Sequence, residues 1–278
     1  MLAQRVITAV VLLALLVPAL LADARWPFNL LTLVFMAAAG WEWARLSQLP
    51  QPAALAAGAL VALACVGAKA IGWADAAPSP AWWFAVALWL PAGTLTLRAG
   101  PGRWLELPRA ARLALGLAAL WAAWLAVNQA RALGLGFILS VFCLVWAADI
   151  AAYFGGRRFG RRKLAPTISP GKSWEGVYSG MAGVLLLGLA WSAADARWPA
   201  LGLSLYSRLF AGLGVAGGLL ALLALAGLSV VGDLSKSVAK RAVGVKDSSK
   251  LLPGHGGVLD RIDALLPVFP AALALASL

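Results

Sequence analysis

Charged residues of both signs are concentrated between residues 232 and 263 of a chain that is 62% hydrophobic. This C-terminal charged segment reads GDLSKSVAKRAVGVKDSSKLLPGHGGVLDRID and contains four of the chain's 11 acidic residues, six cations and the single histidine. Carboxylates hold divalent cations, whereas ammonium and guanidinium groups hold phosphates. The combination predicts chemistry on a phosphorylated substrate.

Three aspartates of this segment are the candidate metal ligands. Asp233 ends one apolar run, and Asp260 and Asp263 begin the next, three residues apart and therefore on one helix face. Carboxylates at the ends of neighbouring helices can share a cation, and magnesium takes one or two of them and fills its shell with water and substrate phosphates. We therefore expect Mg²⁺. The sequence leaves Mn²⁺ open as an alternative and leaves open a second, monovalent cation. The competing interpretation is that these aspartates cap helices or form ion pairs.

The other polar residues of the segment are candidates for binding phosphates or a nucleotide. Ser237 and Arg241 are four residues apart on one helix face, with Lys240 between them, one to two turns after Asp233. Residues 254–257, Gly-His-Gly-Gly, predict a tight loop whose bare backbone can approach a nucleotide. We expect catalytic roles for Asp233, Ser237, Lys240, Arg241, Asp260 and Asp263. We expect substrate contacts from Lys246, Asp247, His255, Gly256, Gly257 and Arg261. Lys246 and Asp247 also fit a local ion pair.

A central charged segment, residues 149–176, offers further candidates. Asp149 follows the apolar run FCLVWAA, and an intramembrane carboxylate marks a functional site by default, against the plainer interpretation of a helix end reached by water. Gly155, Gly156 and Gly160 predict a break in the helix. Residues 169–173, SPGKS, predict a turn that presents backbone N–H groups, hydroxyls and an ammonium to a phosphate, although the glycine spacing is not that of a Walker A loop. The substrate-binding candidates here are Asp149, Lys172 and Ser173.

Long apolar runs must position these segments. Only 12% of the 278 residues are charged and the mean hydropathy is +0.86, whereas soluble proteins have about 25% charged residues. We predict an all-α, polytopic transmembrane helical bundle, because the runs are continuous and do not alternate as barrel strands do. The first run also fits a signal peptide, but a retained span is the simpler interpretation. The nine predicted spans are residues 5–22, 27–43, 52–72, 81–98, 110–128, 133–153, 176–194, 207–231 and 264–278.

The distribution of Lys and Arg predicts the orientation. With nine spans and a cytoplasmic N-terminus, eighteen of the 23 basic residues lie on the cytoplasmic side, as the positive-inside rule requires. The net charge of +12 is therefore explained without nucleic acid. We expect an N-terminal transmembrane region, 1–135, and a catalytic region, 136–278, whose loops 154–175 and 232–263 face the cytoplasm. Short spans and glycine-rich faces favour a homodimer.

The pattern SxxKRxxxxKDxxxxxPxHGGxxDRxD, from Ser237 to Asp263, resembles the signature of the phosphatidate cytidylyltransferases, also called CDP-diacylglycerol synthases. The GDL tripeptide around Asp233 resembles that family as well. So does the central segment, which contains Asp149, the dipeptide AY, a stretch of glycines and basic residues, and the sequence SPGKSWEG. The resemblance extends from about residue 145 to 263, with departures at Ala239, where the family usually has a bulkier apolar residue, and Gly171, where lysine is common. It implies an enzyme of phospholipid biosynthesis in the cytoplasmic membrane, among membrane lipids, that joins CTP and phosphatidate into CDP-diacylglycerol and pyrophosphate.

That chemistry needs positioning and charge neutralisation more than a base. The attacking lipid phosphate is a monoester with a second pKa of about 6, so it is largely ionised at neutral pH. A divalent cation, Lys and Arg can bring two anions together and stabilise the leaving pyrophosphate. Two alternatives stay open: the same chemistry on another membrane lipid phosphate, and a transporter, which the glycine-rich span near residues 212–218 favours but the one-sided charge does not.

Overall fold

The computed structural model describes residues 2–195, 197 and 201–278, and most of them are helical. Two short strands, β1 (Lys163–Ala165) and β2 (Ser169–Ser173), pair antiparallel. The predicted all-α class is confirmed. The helices are α1 (Leu2–Leu21), α2 (Trp26–Leu46), α3 (Gln51–Ala70), α4 (Trp73–Ala76), α5 (Ser79–Trp104), α6 (Arg109–Leu133), α7 (Leu135–Phe159), α8 (Trp174–Asp195), α9 (Leu205–Ala242), α10 (Leu259–Ile262) and α11 (Leu265–Leu275).

Seven helices in the described part of the chain are long and apolar enough to cross a membrane: α1, α3, α5, α6, α7, α8 and α9. Many of their large apolar side chains are exposed, as with Leu63 at 68% and Leu186 at 69%, which suits a lipid solvent. Two of the nine predicted spans are not among the seven. Polar and charged residues, including Asn29, Glu42 and Arg45, lower the hydropathy of α2, and α11 has 11 residues where a span needs about 20. The chain is a polytopic helical membrane protein, but the count of nine is not confirmed.

The chain forms two units that alternate along the sequence. The first unit comprises residues 1–77, 101–132 and 239–263, and the second comprises residues 78–100, 133–238 and 264–278. The predicted catalytic region therefore contributes to both units. α9 carries Asp233 and Ser237 in the second unit, and Lys240 and Arg241 in the first.

In the first unit, α2 and α3 pack closely because small residues face each other. A Cβ atom at Gly58 would lie 2.6 Å from the carbonyl oxygen of Ala37, so only glycine permits this approach. Ala44, Ala54 and Ala57 form a buried cluster between the same helices. This contact fixes the C-terminal half of α2, which carries Glu42.

In the second unit, α7 and α8 meet along a seam of glycines. A Cβ atom at Gly180 would lie 2.8 Å from the carbonyl oxygen of Ala148, and one at Gly176 would lie 2.9 Å from that of Ala152. The predicted helix break at Gly155 and Gly156 is wrong. α7 continues through both glycines to Phe159 and ends before Gly160, because their missing side chains serve close packing against α8 rather than a bend.

Two loop predictions also differ from the structure. Residues 169–173 form β2 rather than a turn, since Ala165 pairs with Ser169 and Lys163 with Ser173, and the turn lies before them. Residues 232–242 are helical, because Lys, Arg, Ala and Leu are good helix formers. α9 ends where Gly244 adopts a left-handed backbone (φ 73°), which lets the Val245 amide bond the Lys240 carbonyl at 3.0 Å.

Candidate active site

A cavity in the second unit is lined by residues of the central charged segment and of α8 and α9. The cavity has a volume of about 390 Å³, and Asp149, Arg157 and Lys172 are its charged lining residues. The Lys172 Nζ lies 2.5 Å from Oδ2 of Asp233, and the Ser237 hydroxyl donates to Oδ1 of Asp233 at 3.4 Å. Side chains that are 61 residues apart in the sequence, Lys172 and Asp233, thus form one ion pair beside the cavity.

The cavity is lined mostly by apolar surface, with a few charged side chains. These charged side chains come from α7 and the hairpin, whereas the lining side chains of α8 and α9 are apolar except for Ser229. Such a division suits an amphipathic anion, whose phosphate meets the cations and whose hydrocarbon meets the apolar side chains. The apolar lining residues are Ala148, Ala152, Val177, Met181, Ala226 and Val230.

Charges of both signs lie close to Asp149, one of the charged lining residues. Asp149 lies within electrostatic range of Lys172, Asp233 and Lys236, and Lys236 is only 6% exposed. Two carboxylates and two ammonium groups can therefore offer counter-charge to a cation and to an anionic substrate in the same place. Sequence reasoning counted Lys236 among the cations but gave it no role.

Glu175 and Ser173 hold the hairpin against α8. Glu175 Oε2 accepts hydrogen bonds from the backbone N–H of Arg161 at 3.0 Å and of Arg162 at 3.2 Å. Ser173, which lines the cavity, accepts a bond from the Gly176 N–H at 3.2 Å and so caps the helix. The glutamate of SPGKSWEG is therefore an anchor for the hairpin, a role that sequence reasoning did not assign.

In the first unit, hydrogen-bond donors surround the carboxylate of Asp260. Its side chain is 6% exposed, and Lys240 Nζ lies 2.8 Å from Oδ1. Oδ2 accepts bonds from the Ser248 N–H at 2.8 Å, the Gly257 N–H at 3.0 Å and the Ser248 hydroxyl at 3.0 Å. A carboxylate has about four lone-pair sites, so these donors use most of its capacity and fix the loop around it.

The Gly-His-Gly-Gly segment forms the tight loop that the sequence predicts. Leu252 and Gly256 pair as an isolated bridge, and the His255 N–H bonds the Leu252 carbonyl at 2.8 Å. A Cβ atom at Gly256 would lie 2.7 Å from Oδ2 of Asp260, so the bare backbone makes room for this carboxylate. Arg261 donates through Nη2 to the His255 carbonyl at 2.5 Å.

The remaining predicted residues of the C-terminal segment lie at the loop surface or at a helix end. Arg241 is exposed, and its Nη1 lies 3.4 Å from the Val245 carbonyl oxygen. Lys246 and Asp247 are exposed on the loop that follows. Asp263 is buried, at 9% exposure, directly after α10.

Glu42 is a candidate that sequence reasoning missed. It lies on α2 with no exposed surface, and it accepts hydrogen bonds from the backbone N–H groups of Val258 at 2.9 Å and Leu259 at 2.7 Å. The signal was present, because an acidic residue inside an apolar run is the same feature that identified Asp149. Its partners, more than 200 residues later in the chain, were not readable from the sequence.

The described residues contain no group of three or more His, Cys, Asp or Glu side chains that could hold a metal ion. Mg²⁺ is commonly bound by one or two carboxylates, with water and phosphate oxygens completing its shell. Among the candidate ligands, Asp233 fits that chemistry best, because its side chain is 29% exposed and stands beside the cavity. Asp260 is more enclosed, at 6% exposure.

Comparisons with known proteins agree with the geometry. A sequence profile described as the cytidylyltransferase family matches residues 3–278. The chain is 40% identical over 282 residues to the phosphatidate cytidylyltransferase of Pseudomonas aeruginosa, covering 98% of this chain and 97% of that protein. It is 48% identical over 137 residues to the enzyme of the same name from Haemophilus influenzae, covering 49% of this chain and 44% of the relative. For the Staphylococcus aureus enzyme the identity is 39% over 146 residues, covering 51% and 49%.

Proposed function

We infer the function from one premise: the chain belongs to the cytidylyltransferase family. It is a nucleotidyltransferase of phospholipid biosynthesis that transfers the cytidylyl group of CTP to phosphatidate, giving CDP-diacylglycerol and pyrophosphate. The observation that carries this function is the alignment with the Pseudomonas phosphatidate cytidylyltransferase over 98% of the chain. It includes both charged segments and the helices that hold them.

The phosphate groups of the substrates are assigned to the cationic side chains of the cavity. Lys172 and Arg157 line it together with apolar residues of α7, α8 and α9, so a lipid phosphate can keep its hydrocarbon among apolar side chains. Arg241 is exposed and is proposed as a second phosphate contact. Lys240, which bonds Asp260, is proposed to hold that carboxylate in place as well as to contact phosphate.

The reaction follows from electrostatics. A phosphate oxygen of phosphatidate attacks the α-phosphorus of CTP, and the bond to pyrophosphate breaks. Both reactants are anions, so cationic groups must reduce their repulsion and take up the charge that develops on the leaving group. Because the nucleophile is already largely ionised, His255 is assigned to nucleotide positioning rather than to proton abstraction.

The proposed cofactor is Mg²⁺, with Mn²⁺ as the alternative and a monovalent cation as a second ion. The candidate ligands are Asp233, Asp260 and Asp263, and the exposure of Asp233 beside the cavity gives it the strongest support. When bound, the ion neutralises charge on the triphosphate and stabilises the leaving pyrophosphate. The remaining proposed substrate contacts are Asp149, Ser173, Lys246, Asp247, Gly256, Gly257 and Arg261, and Ser237 is proposed to contact metal or phosphate.

The proposed setting is the cytoplasmic (inner) membrane, with nine spans, a cytoplasmic N-terminus and the active site facing the cytoplasm. Seven helices suited to crossing a membrane and the one-sided distribution of 23 basic residues support it. A homodimer is proposed from the glycine-rich helix faces.

The decisive experiment incubates the purified protein with labelled CTP, Mg²⁺ and a panel of lipid phosphates in detergent. We expect CDP-diacylglycerol from diacyl phosphatidate and little product from a polyprenyl phosphate. Asp233→Asn should lower turnover by about 10²–10³-fold, the usual cost of removing one stabilising group from a charged transition state, while the protein stays folded. Product from the polyprenyl phosphate alone would refute the assigned substrate, and a fully active Asp233→Asn variant would refute the assigned role of Asp233.

A further inference from the structure

Glu42 is a buried carboxylate with four hydrogen-bond donors of one loop within bonding distance. Oε1 accepts from the Val258 N–H at 2.9 Å and the Ser249 hydroxyl at 2.5 Å. Oε2 accepts from the Leu259 N–H at 2.7 Å and the Ser248 hydroxyl at 3.0 Å. A buried charge is costly unless it is fully hydrogen-bonded, and here the donors span both ends of residues 248–259. Glu42 therefore fastens this whole loop to α2.

Ser248 links Glu42 to Asp260. Its hydroxyl oxygen lies 3.0 Å from Oε2 of Glu42 and 3.0 Å from Oδ2 of Asp260. A hydroxyl carries one proton, so it donates to one carboxylate at a time, while its N–H donates to Asp260 at 2.8 Å. The position of Glu42 thus sets the position of Ser248, and Ser248 sets that of Asp260.

Gly257 shows how closely Glu42 approaches the loop. A Cβ atom at Gly257 would overlap Oε1 of Glu42 and the Ser248 hydroxyl. The second glycine of the Gly-Gly pair is therefore required by contact with an acidic side chain on α2. The Val258 and Leu259 N–H groups, the Ser249 hydroxyl and the Ser248 hydroxyl shared with Asp260 use most of the roughly four lone-pair sites of Glu42.

We propose that Glu42 is a positioning residue for cytidylyl transfer, acting through Ser248 to orient Asp260 and, through Asp260, Lys240. This inference rests on the proposed function, since it assumes that Asp260 and Lys240 serve the reaction. A purely structural role would predict a loss of stability alone. A positioning role predicts that kcat falls when Ser248, which contacts Asp260, is replaced, and not when Ser249 is replaced.

The two serines that bond Glu42 provide a matched pair of variants. Ser248→Ala removes a bond to Glu42 and the hydroxyl contact with Asp260. Ser249→Ala removes a bond to Glu42 and the acceptor of the Leu251 N–H, but leaves the Ser248–Asp260 contacts in place. We expect kcat to fall about 10–100-fold in Ser248→Ala, the range typical of groups that orient a functional ligand. Ser249→Ala should retain wild-type kcat, and both variants should keep their KM for phosphatidate.

Glu42→Gln completes the test, because its amide nitrogen cannot accept the bonds that one carboxylate oxygen accepts. We expect a similar loss of kcat, and the double variant Glu42→Gln/Ser248→Ala should lose no more than the worse single variant. Thermal unfolding of each purified variant checks that it is folded. If Glu42→Gln does not fold, the serine pair decides the question alone.

Three results would overturn the positioning role: equal kcat values for the two serine variants, multiplicative losses in the double variant, or a stable Glu42→Gln protein with full turnover. Failure of the proposed function would look different. In that case wild-type protein would form no CDP-diacylglycerol, although the Glu42 and serine variants would still differ from it in melting temperature.

Discussion

Replacing Lys240 by methionine tests how much the buried ion pair contributes to the first unit. The change removes the ammonium that lies 2.8 Å from Oδ1 of Asp260 and retains a long, unbranched side chain. The two side chains are 11% and 6% exposed, so water has little access to replace the lost bond. We therefore expect a loss of stability that is larger than a surface ion pair would give.

The structure sets the magnitude. Breaking a buried ion pair costs about 3–5 kcal/mol, but Asp260 retains bonds from Ser248 and Gly257. These donors place the expected loss at the lower end, about 3 kcal/mol. Each kcal/mol of lost unfolding free energy lowers the melting temperature of a domain of comparable size by about 2–4 °C, so the melting temperature should fall by about 6–12 °C.

Thermal unfolding in detergent, followed by helical circular dichroism, measures this loss. Lys250→Met is the matched control, because Lys250 is exposed on the loop that follows α9 and should change stability by less than about 0.5 kcal/mol. The double variant Lys240→Met/Asp260→Asn should be more stable than the sum of the single losses predicts, since it removes both charges together. Equal melting temperatures for Lys240→Met and Lys250→Met, or additive losses in the double variant, would refute the reasoning.

Two further predictions concern Gly180 and Lys172 of the second unit, each with a control variant. Gly180→Ala should lower stability by about 1–3 kcal/mol, because its Cβ would meet the Ala148 carbonyl oxygen at 2.8 Å. Gly67 has open space around it, so Gly67→Ala should raise stability by up to about 1 kcal/mol through helix propensity. Thermal unfolding of the two variants compares these effects. Lys172→Gln should lower kcat/KM in the labelled-CTP assay by about 10–150-fold, which corresponds to the loss of a charge-assisted hydrogen bond of about 1.5–3 kcal/mol. Lys163 is exposed on the same hairpin, and kcat/KM of Lys163→Gln should stay near the wild-type value.

Each of these has a clear contrary result. Equal melting temperatures for the two glycine variants would show that α7 and α8 do not need their close approach at Gly180. Equal losses of kcat/KM for the two lysine variants would show that general charge on the hairpin, rather than the place of Lys172 beside the cavity, matters for the reaction.

The helices could be predicted because a bilayer leaves the backbone few options. Every N–H and C=O group in the hydrocarbon must bond within its own segment, so long apolar runs such as residues 135–159 become helices. Helix ends were less predictable. Residues 232–242 contain four charges, which suggested a loop, yet the same residues have high helix propensity and extend α9 to Ala242.

The types of the site residues could be predicted, but their pairing could not. Sequence reasoning identified Lys172, Asp233, Lys240 and Asp260, yet it could not show that Lys172 bonds Asp233 and Lys240 bonds Asp260. Such pairs depend on packing between distant segments. Glu42 was overlooked for the same reason, since its function lies in donors supplied by the other end of the chain.

The bonds between Glu42 and the loop have a consequence for biosynthesis. The glutamate emerges from the ribosome 216 residues before the Val258 amide that it accepts from, so during most of translation it is a charge in an apolar helix still awaiting its donors. A contact of such high sequence separation forms late. A nascent or truncated chain that stops before this loop therefore lacks the donors that bond Glu42, and the arrangement of Glu42, Ser248 and Asp260 can form only when synthesis is nearly finished.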